Sequence, residues 1–220
     1  MDVRIPLFPL GTVLFPGAVL PLRIFEDRYR RLVRDLLDGP EPRRFGVVAI
    51  ELGHEVGPGA ARRLASVGCT AVLRRVVPHD DGRFDIVTAG AQRFRITEVD
   101  DAPPYLRATV TLLPDEPGAG PGDAAGRVSR LLPRYLHQLA AAGRQATDST
   151  PPPSEPVALS YAVAGALVVG RRDKQRLLEA ADATVRLELA ADLLAREIRL
   201  LSKLPAAPAP HFRTTDTSPN

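Results

Sequence analysis

The sequence has almost no cysteine: Cys69 stands alone in 220 residues. That excludes an intramolecular disulfide and any multi-cysteine zinc site. Lysine is nearly absent too. It occurs only at Lys174, after Asp173, and at Lys203, after Ser202. A nucleotide-binding P-loop needs Gly-Lys followed by Ser or Thr, because the lysine must reach the β- and γ-phosphates, so the chain holds no such loop. It also has no Gly-x-Ser-x-Gly nucleophile elbow and no His-Glu-x-x-His zinc motif. His54, His79, His137 and His211 are scattered. Asp80/Asp81 and Asp100/Asp101 sit beside turn signals and read as solvated turns, not paired acid and base. No catalytic residue, metal site or cofactor site is expected.

An excess of one charge is missing as well. The formal net charge is +3, with 16 basic and 14 acidic residues in 1–114, and 12 and 11 in 115–204. Neither part is a basic lobe of the kind that binding to a phosphate backbone leaves behind.

An unbroken hydrophobic run is the last absence. "IPLFPLGTVLFPGAVLPL", Ile5 to Leu22, carries no charge over 18 residues, about the length that spans a bilayer. Yet Pro6, Pro9, Pro16 and Pro21 lie inside it. Each costs about 3 kcal/mol in a helix interior, and a spanning helix must satisfy all its own backbone bonds. Asp2 offsets Arg4, so the positive start of a signal peptide is lacking. The run is expected to form short strands and turns: Val3–Ile5, Thr12–Phe15, a Pro16-Gly17 turn of type II, and Val19–Ile24. The expected compartment is the cytoplasm, with no membrane contact.

What is present divides by period. Residues 1–114 read mainly as β. Leu106, Ala108, Val110 and Leu112 alternate with polar residues, and so do Phe94 and Ile96. "RRFGVVAI" is a further buried strand. Residues 70–77 and 84–89 flank Asp81-Gly82, a hairpin turn signal. Many short strands predict a small barrel. One helix interrupts them, with Phe25, Tyr29, Leu32, Val33, Leu36 and Leu37 on one face and Gly39-Pro40 as its stop. "PDEPGAGPGD", 114–123, has the composition of a linker. Residues 123–204 read as helical, with Pro133 forcing a kink or a later start, a Pro-rich loop at 144–156, a mostly apolar helix at 157–169, and a long helix from about Ala183 to Leu204 capped by Asp182. The tail, 205–220, reads as disordered. The class is α+β: a β-rich subdomain, 1–114, then a helical subdomain, 123–204.

The opening stretch "PLFPLGTVLFPGAVLPLRIFEDRYRRLV" resembles the start of the Lon substrate-binding domain, the amino-terminal domain of the ATP-dependent Lon proteases. The resemblance continues through "FGVVAIELGHEVG" and "LASVGCTAVLRRVVPHDDGRFDIVTAGAQRFRITEV", and more loosely into "LLEAADATVRLELAADLLAREIRLL". It implies a PUA-like β-barrel followed by a helical bundle. It also implies a non-catalytic, stand-alone module, since the ATPase and Ser-Lys peptidase domains of Lon have no counterpart here. The partners implied are unfolded or client polypeptides, bound through exposed hydrophobic segments, and a protease or chaperone that receives them. RNA binding is the second reading, because PUA-like barrels elsewhere contact RNA. The even charge balance and the few strand aromatics (Phe84, Phe94, Tyr105) argue against it. The expected peptide-binding residues are Phe15, Pro16 and Gly17, on a turn that leaves an aromatic near the surface, with Phe25 and Tyr29 bordering a groove between barrel and helix. Glu26 and Arg93, from "RIFEDRY" and "GAQRF", are expected to pair and hold the first helix against the barrel.

Overall fold

The computed structural model describes residues 2–55, 61–102, 104–120, 122–143 and 152–203. Most of the loop expected at 144–156 and the tail expected after 204 lie outside these residues.

The four prolines of the opening stretch sit where strands and turns accept them. Pro6 and Pro9 fall within β1 (Asp2–Leu10), Pro16 in a turn, and Pro21 in β2 (Val19–Ile24). β2 pairs with a single strand, and such an edge position tolerates the missing donor. Leu14 and Phe15 are consecutive and both buried. Strand geometry would send them to opposite faces. The segment Thr12–Phe15, expected as a strand, is accordingly irregular.

After β2 comes α1 (Asp27–Asp38), which turns Tyr29, Leu32 and Val33 into the core. Then follow β3 (Arg44–Gly53), β4 (Ala61–Leu64), β5 (Val67–Pro78), β6 (Phe84–Asp100) and β7 (Arg107–Leu112). β1 pairs antiparallel with β7 and parallel with β3. The order β1-β7-β6-β5-β3 therefore closes on itself as a barrel. β6 is long enough to serve two neighbours. Its first half pairs with β2, its second half with β7, and β5 runs along both. The barrel interior is packed: Phe94 is fully buried, and a Cβ on Gly46 or Gly68 would collide with its ring.

The helical part consists of α2 (Gly122–Ala141), α3 (Pro156–Ala166), α4 (Arg171–Glu179) and α5 (Ala183–Leu201). α2 continues through Pro133 instead of starting after it. Glu155 caps α3 by accepting from Val157 N and Ala158 N, with Pro156 in the first turn. Asp182 caps α5 through Val185 N at 2.9 Å. α5 packs against α2, α3 and α4. One apolar cluster joins these helices to Phe15 and Val67 of the barrel side. The fold is α+β: a mainly antiparallel barrel with a helical bundle packed on it.

Candidate functional site

The Pro16-Gly17 turn forms as the sequence predicts. Ala18 N donates to Phe15 O at 3.1 Å, and Gly17 takes φ +80°. The turn is clamped to β6 by Gly17 N to Gly90 O at 2.9 Å and Gly90 N to Ala18 O at 2.8 Å. This clamp sends Phe15 inward. Its side chain is 2% exposed, inside the cluster shared with the helices, with Lys174 Nζ 5.4 Å from the ring centroid. The expectation of an aromatic left near the surface is corrected: Phe15 is core. Tyr29 is core as well, stacked on Phe8 at 3.9 Å, and burial pushes its hydroxyl up to about 12. Pro16 is half-buried, Gly17 is exposed, and Phe25 is 52% exposed. Phe15 and Tyr29 belong to different clusters, so the five residues do not line one groove.

A different apolar surface lies on the outside of the barrel. Along β2, Val19, Pro21 and Arg23 face outward while Leu20, Leu22 and Ile24 face the core. The exposed Phe25 continues that alternation. The register extends the surface across three strands: Val19 opposes Ala89, which opposes Val72, and Pro21 opposes Val87. Val19 is 68% exposed, and Ala89, Val87 and Val72 are partly exposed. At one end the strip turns polar, where Asp85 takes Arg23 Nε at 3.2 Å and His79 Nε2 at 2.9 Å. The bond from His79 is the main cause holding the Asp85 carboxyl below its ordinary range.

Between barrel and bundle the surface is charged. A cleft of about 570 Å³ is lined by Ala49, Glu51, Arg63 and Ala65 on one side and by Arg171, Arg172, Gln175, Arg176 and Glu179 of α4 on the other. The sequence places α4 inside the helical stretch 123–204 but marks no separate helix or site there.

What joins the two parts is Arg93. Its guanidinium leaves β6, is 2% exposed, and donates to the carbonyls of Leu178 (3.0 Å), Ala180 (2.6 Å) and Pro114 (3.0 Å). Its Nε lies 3.4 Å from Asp115 Oδ1 without hydrogen-bond geometry. The Tyr161 hydroxyl donates to that same carboxylate. Glu26 pairs instead with Arg28 at 3.0 Å. The expected Glu26–Arg93 pair is therefore corrected: Arg93 holds the bundle, not the first helix. The rest of "GAQRF" serves the same junction. Gly90 admits the Phe15 backbone, and Gln92 Nε2 donates to Leu113 O at 3.2 Å.

Burial pushes the Cys69 thiol up to about 12, far from a thiolate nucleophile at neutral pH. Among the described residues no group of three or more His, Cys, Asp or Glu is placed to hold a metal ion. No described helix is long and apolar enough to cross a membrane.

Similar proteins agree on one architecture. Residues 4–196 match the ATP-dependent protease La (LON) substrate-binding domain. The chain is 28% identical to Lon protease 2 of Myxococcus xanthus over 204 residues, and 31% identical to Lon protease of Koribacter versatilis over 208. Each alignment covers 90% of this chain, but only 24% and 25% of the relative. The chain thus spans about a quarter of the length of these curated relatives. Among solved structures it is similar to a Lon N-terminal domain protein from Xanthomonas campestris, with TM-score 0.57, 26% identity, and coverage of 92% of this chain and 99% of that one. It shares the fold of the N-terminal domain of the Mycobacterium avium complex Lon protease, with TM-score 0.63, 21% identity, and coverage of 88% and 98%. The family model that residues 4–196 match describes the substrate-binding domain. This chain belongs to the family of the Lon substrate-binding domain.

Proposed function

We propose that the protein is a non-catalytic module that binds exposed hydrophobic segments of unfolded or client polypeptides in the cytoplasm, as an adaptor or holdase for proteolysis. The observation that carries this reading is the outer strip Val19–Ala89–Val72 with Pro21 and Val87, apolar residues that stand exposed or partly exposed on the outer face of the barrel. An apolar client segment laid on it would remove both surfaces from water, at about 25 cal/mol per Å² of apolar area. Phe25 and the Pro16-Gly17 turn border the strip in sequence. Phe15 and Tyr29 act from beneath as packing.

RNA binding gains no support. Phe84, Phe94 and Tyr105, the strand aromatics on which bases would stack, are 8%, 0% and 6% exposed. The test is binding of an apolar, uncharged client peptide across a salt series. Capture through the strip persists at high salt and falls with Val19→Asp, a substitution that shifts the melting temperature little. A steep loss of binding with salt, or full binding by Val19→Asp, overturns the assignment.

A further inference from the structure

The cleft between β3–β4 and α4 has a charge imbalance that the fold does not need. Four arginines and two glutamates line it. Arg63 is matched by Glu51 at 2.7 Å. Arg176 lies 3.8 Å from Asp173, a carboxylate held more closely by Arg196 at 2.7 Å. Arg171 and Arg172 have no carboxylate partner among the described residues, and both are exposed. They occupy the first turn of α4, where the helix macrodipole already places partial positive charge. Asp173, the acidic residue of that turn, is engaged by Arg196 and Arg176 and not by Arg171 or Arg172. The positive potential of Arg171 and Arg172 adds to that of the helix end.

Gln175, on the same lining, is 9% exposed. Its amide nitrogen donates to Val67 O at 3.0 Å and to Glu179 Oε1 at 2.8 Å, which fixes the orientation of the amide. Its carbonyl oxygen is buried with no partner. The cleft thus combines unmatched cations with the carboxylates of Glu51 and Glu179.

We propose that this cleft binds an acidic peptide segment of a client, with carboxylates of the client on Arg171 and Arg172. A peptide fits both features of the lining. Its side-chain carboxylates accept charge-assisted bonds from guanidinium forks. Its backbone N–H groups can donate to the acceptors that would repel a phosphate chain. The proposal rests on the reading that the chain binds polypeptides. It adds a second, electrostatic contact apart from the apolar strip.

The test uses the full chain and two fluorescein-labelled peptides of about ten residues, one rich in Asp and Glu and one apolar, with the Asn/Gln counterpart of the acidic peptide as control. The acidic peptide is expected to bind at low salt, and its control is not. Arg171→Gln with Arg172→Gln should weaken the acidic peptide about tenfold, the scale of one charge-assisted bond, and leave the apolar peptide unchanged. Val19→Asp should do the reverse. Equal binding of the acidic peptide by the parent and the double variant overturns the cleft while leaving the strip intact. An apolar peptide bound equally by the parent and by Val19→Asp overturns the strip and leaves the cleft. If an oligouridine competes the acidic peptide off the parent at lower concentration than its unlabelled form, the occupant is nucleic acid and the peptide assignment is wrong.

Discussion

Arg93 of β6 donates through Nη1 to the carbonyl of Ala180, just past the end of α4, at 2.6 Å. The same carbonyl accepts Arg186 Nη2 at 3.3 Å. Two buried guanidinium groups therefore converge on the negative end of one short helix, where the macrodipole favours cations. Arg186 is further held by Leu177 O at 3.0 Å and by Ser160 Oγ at 2.9 Å, with its guanidinium 4.0 Å from the Tyr161 ring.

Arg93→Met is expected to destabilise the protein by about 3 kcal/mol or more, because it strands several buried carbonyls and leaves Asp115 beside an apolar side chain. Arg93→Lys should recover only part of the loss, since one ammonium cannot span carbonyls from two segments. Urea denaturation of the three proteins measures this. Parent-like stability of Arg93→Met would show that the junction is held by apolar packing alone.

Gly90 and Gly17 make a contrasting pair. A Cβ on Gly90 would collide with the Phe15 carbonyl oxygen and carbon, which are backbone and cannot swing away. A Cβ on Gly17 meets nothing within 4 Å, although its φ of +80° disfavours a side chain. Gly90→Ala should therefore release the Phe15 loop and cost more than Gly17→Ala, which should lose about 1 kcal/mol from backbone strain. Thermal melts of both variants decide it, and equal losses would contradict the clamp.

Lys174 donates to Ala164 O at 2.6 Å and to Gly165 O at 2.8 Å, contacts that favour its ammonium form. Desolvation outweighs them and pushes its pKa down to about 8 from the ordinary 10.5. Between those values the unfolded chain holds more protons than the folded one, so this residue's contribution to stability rises with pH. Below about pH 8 both states are protonated and the penalty is complete. Cys69 acts in the opposite sense above its ordinary 9.0, because the unfolded thiol ionises first. The readout is therefore the difference between parent and Lys174→Met. It should move in favour of the parent from pH 7 to pH 10, and a flat difference would show that Lys174 is not desolvated.

The features that sequence alone revealed are local ones. The Asp182 cap, the Pro16-Gly17 turn, the hairpin glycine at 82 and the α1 face of Tyr29, Leu32 and Val33 each depend on residues within a few positions of one another, whereas Phe25, expected on that face, precedes the helix and is 52% exposed. α4 was not legible because "RRDKQRLLE" offers too few apolar residues to carry a helical period, and it buries Gln175 beside Leu177 and Leu178. The partners of Arg93 were hidden for a different reason. They are backbone carbonyls, which any residue supplies, so no side chain in the sequence advertises them. Phe15 was misplaced because its burial depends on distant helices and on Gly90, while its own neighbours, a proline and a glycine, signal an exposed turn.

Phe15 and Val19 sit four positions apart on either side of that turn and should respond to the same substitution in opposite ways. Phe15 is 2% exposed, packed among helices, and has a cation 5.4 Å from its ring. Phe15→Asp removes its apolar contacts and buries a carboxylate. Lys174 is close enough to offset part of that charge, but the aromatic volume is not replaced. A loss of about 3 kcal/mol or more is expected. Val19 is 68% exposed on an edge strand. Val19→Asp there buries nothing and should cost under about 1 kcal/mol, the strand-propensity range. Client capture should separate the same way: Val19→Asp stays folded and binds poorly, while Phe15→Asp loses binding only as it loses structure. Urea denaturation read alongside client binding checks both. A folded, parent-stable Phe15→Asp that fails to capture client would return the binding site to the turn and remove it from the outer strip.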